Sequence, residues 1–438
     1  MPGRQFNRRT VLRAGALTAG LLVASCGTHR QQAPPGQIGG NLSFSYWGNQ
    51  SRAAKAGAVI DLFEAAHPGA TVEGQSSDYV AYIERLPVRA AGRDLAGVTT
   101  MQSTFFAPYA TQGALLPLDD LIAQGVIDVS NIPADVLQSG RIDGRQYMIP
   151  TGSYLRPIAY NADLLSSIGI TPPATPWTWD EYIAWLYAIQ PRLPAGVYAS
   201  EAEGATLFSL FSWVAGHGEQ FFADDGLAFP PRLLAEFFQL WHDLAAEGIS
   251  VPPSMVGDQI GALERTPIAR GVAAVGTRDI PHLTITEKAL SGAGLPSMIG
   301  WLTCPVAGPG MSGNVIGSNG LVISADSDNV QTAAEFVNFF ANDPGAIRAF
   351  QSDNGVVPGP RSQDTLLSDP ATPAGVRRSI TVLRELVDAG DVASTTYPKG
   401  ITTLTNDLRR LYEDVTFGRT DISEAVDDFF GAARRALS

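Results

Sequence analysis

Four groups in this chain set an aromatic residue near polar ones, and an asparagine in a glycine-rich turn makes a fifth candidate. These are Trp47 with Asn49, Phe105 with Ser103 and Thr104, Tyr154 with Arg156, Trp213 near Gly216-His217-Gly218, and Asn319 between Ser318 and Gly320. An aromatic ring packs against the C–H face of a pyranose, while Asn, Asp and Arg side chains bind its hydroxyls through directional hydrogen bonds. That mixture is what a carbohydrate cleft requires, although any one of these aromatics is as readily a core residue. Catalytic chemistry is poorly supplied by comparison. The five histidines (His29, His67, His217, His242 and His282) are scattered, and none has a histidine or acidic partner at helical ligand spacing within a convincing site. No nucleophile elbow, HExxH or Walker loop occurs, and Lys55, Lys288 and Lys399 are the only lysines. Residues 308–313 match GxGxxG literally, but no helix pattern follows them, so they do not read as a dinucleotide turn. Asp119-Asp120, Asp224-Asp225 and Asp427-Asp428 read as solvated pairs in turns or on helix faces. The expectation is no catalytic residue, no metal and no cofactor.

The charge balance narrows the partners. Over 438 residues, 30 Lys+Arg face 43 Asp+Glu for a net charge of −13, which argues against a phosphate-tracking surface and hence against nucleic acid. The balance is uneven along the chain. Residues 1–25 hold Arg4, Arg8, Arg9 and Arg13 and no acid, so they carry +4 and the remainder −17. An apolar run from Ala14 to Ala24 follows, about half the ~20 residues that a membrane helix needs. A basic segment, a short apolar stretch and small residues before a boundary read as a cleavable export signal over 1–25. Arg8-Arg9-Thr10-Val11-Leu12-Arg13 resembles a twin-arginine export motif. Val23-Ala24-Ser25-Cys26-Gly27 resembles a bacterial lipobox, in which Cys26 becomes a lipidated first residue that anchors the protein outside the cytoplasmic membrane. Residues 27–40, polar and rich in Pro and Gly, then form a flexible tether. The second cysteine, Cys304, lies in an apolar run and reads as a buried small hydrophobe.

The candidate residues need elements to position them. Leu42, Phe44 and Tyr46 alternate with polar residues as a first strand feeding Trp47-Gly48-Asn49. Val59, Ile60 and Phe63 mark a helix that Pro68-Gly69 ends; Thr71-Val72 and Val98–Met101 start two more strands. Strand–helix–strand alternation predicts a mainly parallel α/β sheet, with ligands in the loops past the strands' carboxyl ends. Farther on, the spacing predicts strands over 147–150 and 158–161 around a polar turn, Thr151–Tyr154. A capping box at Thr178-Trp179-Asp180-Glu181 opens another helix. Gly317-Ser318-Asn319-Gly320 reads as a glycine-rich turn before a strand at 321–323. The tail is helical, with stripes at Ile380, Leu383 and Val387 and at Leu404, Leu408, Leu411 and Val415, and a last helix opened by Asp421.

These segments resemble, in order, those of extracellular sugar-binding lipoproteins, the solute-binding components of bacterial ABC importers. The resemblance is carried by Val59–Glu64 with His67-Pro68-Gly69, Phe106–Ala110, Gly113–Asp119, Asp143–Pro150, Ile158–Leu164 and Pro176–Glu181. It implies a two-lobe periplasmic-binding-protein-like α/β fold of type II, with the ligand in the cleft between lobes joined by a hinge. On that pattern lobe 1 is 41–152 plus 305–358 and lobe 2 is 153–304 plus 359–438. The resemblance places the cleft at Trp47 to Asn49, Asp78, Ser103, Thr104 and Phe105, Thr151 to Tyr154, Trp213, and Gly317 to Asn319. It implies a monomeric receptor that closes on a sugar and docks on an ABC permease. Where relatives often carry an aromatic, this chain has Gly276-Thr277-Arg278-Asp279. Arg278 and Asp279 then either contact a charged sugar derivative or form a mutual surface ion pair. The alternative from another class is a secreted, lipid-anchored, glycan-active enzyme.

Overall fold

The computed structural model describes residues 37–437 apart from 224–225, 260–262, 389–391, 395–396 and 399. The export signal, Cys26, most of the tether, Asp224-Asp225 and Lys399 lie outside the described residues. Strand β1 (Gly40–Trp47) buries Leu42, Phe44 and Tyr46 and delivers Trp47 to its carboxyl end. The Asn49 side chain accepts from the Arg52 N–H at 3.1 Å, which starts α1 (Gln50–Ala66) directly behind that end. The Asp78 carboxylate repeats the device, accepting from the Ala81 N–H to start α2 (Tyr79–Ala91) after β2 (Ala70–Ser77). β2 and β3 (Val98–Gln102) flank β1 in parallel, as the alternation predicts.

The two segments that read as polar turns are strand instead. β4 (Met148–Leu155) runs straight through Thr151–Tyr154. After Arg156-Pro157 the chain enters a second sheet as β5 (Ile158–Asn161). In this lobe the Thr178–Glu181 capping box opens α3 (Trp179–Ile189) as read, and β6 (Tyr198–Ser200), α4 (Leu207–Gly216), α5 (Pro231–Ala246), β7 (Ala273–Thr277) and β8 (Ile299–Leu302) follow. The chain returns as β9 (Val315–Ile323), which takes in Gly317–Gly320 and occupies the middle of the first sheet. α6 (Val330–Asn342), α7 (Ala374–Asp388), β10 (Ala393–Ser394), α8 (Ile401–Thr416) and α9 (Ile422–Leu437) complete it.

The first sheet has the order β10-β9-β3-β1-β2, with β4 also pairing to β9; the second has the order β8-β5-β7-β6. Both are mixed where a mainly parallel sheet was expected. β9 re-enters from the second lobe, so it runs against β3 and β4, matching Asn319 to Gln102 and Ile323 to Val98. β5 likewise opposes β7 and β8.

Each sheet has its own core. In the first, Phe44 meets Phe336 edge-on at 5.1 Å. In the second, Trp177, Tyr182, Trp241, Phe237 and Phe238 are fully buried with Tyr412 from α8. A smaller cluster holding Leu155, Ile280, Ile316, Val356 and Ile380 sits where the crossing strands leave the first sheet. Cys304 is buried beside the crossing, its thiol donating to the Arg156 carbonyl at 3.4 Å. Among the described residues no helix is long and apolar enough to cross a membrane.

Candidate ligand-binding cleft

Where the carboxyl ends of β1 and β3 face the second lobe, a cleft of about 1090 Å³ opens. Its first-lobe wall is aromatic. Trp47 is held edge-on between Tyr79 at 5.7 Å and Tyr82 at 5.5 Å. The Tyr82 hydroxyl donates to the carbonyls of Ser45 and Thr100, tying β1 to β3 below the cleft. Tyr79 stays exposed at the rim and donates to Gln102 at 2.8 Å. Thr104 and Phe105 continue the wall. Behind Trp47, the Arg52 guanidinium lies over the indole at 4.7 Å and donates to the Asn354 side-chain oxygen. Gly48 makes that approach possible: its φ is +147°, and a Cβ there would stand 2.4 Å from Arg52 Cδ.

The floor is built on β4 and β9. Tyr154 bonds Ser103 Oγ through its hydroxyl at 3.2 Å, and burial raises its pKa. Its ring lies flat against Gly317, where a Cβ would come within 2.4 Å of it. The register of β9 slips between Asn319 and Gly320, a bulge that turns Asn319 toward the cleft. Asn319 donates to the Asn354 carbonyl at 2.6 Å and leaves its buried side-chain oxygen without a donor.

The second-lobe wall combines Phe208 and Phe211 from α4 with a charged pair. Arg156 grips Asp279 in a fork, at 3.2 and 3.1 Å, and its guanidinium lies 4.9 Å over the Phe208 ring. Burial alone would raise the Asp279 carboxyl, but Arg156, His282 and Arg278 outweigh it and hold its pKa below the usual range. His282 stands 3.4 Å from Asp279, and burial lowers its pKa. Thr405, Asn406 and Arg409 of α8 close this side.

Seven of the residues singled out from sequence meet at this one cavity: Trp47, Thr104, Phe105, Tyr154, Arg156, Asp279 and Asn319. Asn49 and Asp78 are not among its lining residues and serve as helix caps. Ser103 and Ser318 lie fully buried under the floor, Ser103 bonding the Ser318 backbone and Ser318 the Ser139 hydroxyl. Trp213 is not among the lining residues. It sits in the second core, stacked edge-on against Trp179 at 4.6 Å with its N–H on the Leu233 carbonyl.

Arg278 and Asp279 form no mutual surface pair. Arg278 is buried against Glu201 at 2.6 and 2.7 Å, and Asp279 belongs to Arg156. Their side chains leave the strand end on opposite sides, so each finds a different partner. Arg52, Tyr79, Phe208, Phe211, His282 and Arg409 line the cleft without having been singled out for it. Among the described residues no cluster of three or more His, Cys, Asp or Glu could hold a metal ion.

Residues 47–347 match the bacterial extracellular solute-binding protein family, and the chain belongs to it. Solved structures of the same fold include an ABC substrate-binding protein of Listeria monocytogenes in complex with cycloalternan, with 18% identity and a TM-score of 0.72 over 90% of this chain and 98% of that one. The GacH receptor of Streptomyces glaucescens, solved unliganded and with acarbose, has 17% identity and a TM-score of 0.73 over 92% and 99%. A periplasmic oligogalacturonide-binding protein of Yersinia enterocolitica, in complex with saturated digalacturonic acid, has 18% identity and a TM-score of 0.75 over 91% and 98%. The family is one of binding proteins, and the α/β fold with two lobes is the one the sequence resemblance implies.

Proposed function

We propose that the chain is the sugar-capturing receptor of an ABC importer. The observation that carries this is the composition of the cleft: Trp47, Phe105, Tyr154, Phe208 and Phe211 present rings beside Asn319, Thr104 and Asn406. Rings for the sugar's C–H faces and amides or hydroxyls for its O–H groups stand in one cavity of about 1090 Å³, room for an oligosaccharide. The three receptors named above are carbohydrate complexes, which favours the same ligand class here.

The receptor acts without catalysis. Sugar bridges the lobes, between which the chain first crosses at Arg156-Pro157, and the closed form is preferred because it alone contacts the ligand from both walls. That form delivers the ligand to a membrane permease. The N-terminal 25 residues direct twin-arginine export, and a lipid on Cys26 holds the monomer at the outer face of the cytoplasmic membrane.

Thermal melting against a broad panel of oligosaccharides tests the central claim. A bound sugar raises the melting temperature with its concentration, and no shift across the whole panel would contradict it. Chromatography of the same incubations separates receptor from enzyme: intact sugars are expected, and sustained cleavage lost on mutating Asp279 would decide for catalysis. Cys26→Ala should move the protein from the membrane to the soluble fraction.

A further inference from the structure

The charges of the cleft fall into two kinds. Arg156 is matched by Asp279, and Asp353 by Lys55 at 2.5 Å, so these four neutralise one another in pairs. Arg52 and Arg409 are not matched. Among the described residues neither has a carboxylate oxygen within 4.0 Å, and one stands on each wall of the same cavity. Glu84, the remaining lining carboxylate, is exposed on α2, where water and salt screen it.

Arg52 is the sharper case. It is 9% exposed, its Nε has no acceptor, and its contacts are a neutral amide oxygen and the indole face. Those contacts do not cancel a unit charge, and the nearby carboxylate that acts on it, Asp353, is itself paired with Lys55. Burial pushes its pKa down to about 10, which leaves it cationic at neutral pH. A guanidinium removed from water without a counter-ion is unfavourable, and proteins ordinarily supply one. Asn319 offers the complementary defect in the same cavity, a buried acceptor oxygen with no donor.

We infer that the captured sugar is acidic, its anionic group lying between Arg52 and Arg409 while one of its hydroxyls donates to Asn319. The inference rests on the sugar-binding reading above and names the class of sugar. The anion supplies the missing counter-charge to both walls at once, so it also favours their approach. With a net charge of −13 the whole chain does not attract anions from a distance, and selection falls to these two side chains.

The test is calorimetry on the full-length protein with matched ligands: digalacturonate and its methyl ester, a hexose 6-phosphate and the free hexose, and neutral disaccharides. An acidic ligand should bind at least about tenfold more tightly than its uncharged counterpart, the scale of one charge-assisted hydrogen bond. The uronate and phosphate arms tell which anion the site takes. Arg409→Gln and Arg52→Gln should each cost the acid about tenfold and cut its advantage over the uncharged ligand by about the same factor. Added salt should weaken the acid alone. Arg409 lies on the cleft side of α8, so its variant decides the matter even if the Arg52 variant melts early. Equal or tighter binding of the uncharged partners overturns the acidic-sugar inference and leaves the receptor reading standing. Binding of no sugar, acidic or neutral, overturns the receptor reading itself.

Discussion

Arg278 on the second lobe and Arg52 on the first are buried alike, at 7% and 9% exposure, yet their surroundings differ in kind. Arg278 meets both oxygens of Glu201, and Glu201 also accepts the Ile268 N–H at 3.0 Å. The neighbouring Glu203 is equally enclosed, taking donors from Thr277 and Ser209. The second lobe therefore settles its buried charges internally. The first lobe places its buried cation in direct contact with neutral groups only, and the nearby carboxylate, Asp353, is shared with Lys55. A buried charge that is satisfied belongs to the scaffold, and one that is not satisfied points to whatever arrives from outside.

The comparison breaks most visibly at Glu201. Replacing it with alanine strands Arg278 and should destabilise the protein by about 3–5 kcal/mol in chemical denaturation. Gly317→Ala drives a methyl into the Tyr154 ring and should cost about 1–3 kcal/mol. Sugar affinity should fall with it, because the floor of the cleft moves. Arg52→Met leaves no carboxylate behind and should cost only about 1 kcal/mol, that of the Asn354 hydrogen bond. A loss as large as that of Glu201→Ala would erase the distinction between the two arginines. Tyr154→Phe removes the bond to Ser103, an expected ~0.5–1.5 kcal/mol.

The smallest effect is one of pH. His282 has a folded pKa below its unfolded value of 6.5, so its contribution is fully present above pH 6.5 and is lost as pH falls through the depressed folded value. His282→Gln should therefore flatten the decline of melting temperature as pH falls below about 6.5. Asp279, also depressed, adds loss only below its unfolded value of 3.8.

Local signals were legible wherever they were local in cause. The capping box at Thr178, the Asn49 and Trp47 loop and the last helix behind Asp421 follow from residues within four positions of one another. The strands through Thr151–Tyr154 and Gly317–Gly320 did not, because polar and glycine residues in sequence look like a turn. Here they are small because the Tyr154 ring and the Asn354 carbonyl press on them from across the sheet. Arg52 reads as a solvated helix residue until Gly48 is seen to leave room for it beneath Trp47. The Gly48–Asn49–Arg52 spacing was the available hint. Arg156 and Asp279 are 123 residues apart, and no spacing rule joins them.

Leu155 ends a strand of one sheet and Ile158 begins a strand of the other, so Arg156 and Pro157 alone make up this joint. The proline ring fixes one of its four main backbone torsions, and the Arg156 side chain is already held by Asp279. Few degrees of freedom remain there. Relative motion of the lobes through this connection is confined to a narrow path, and little disorder is left in it for a bound ligand to freeze out.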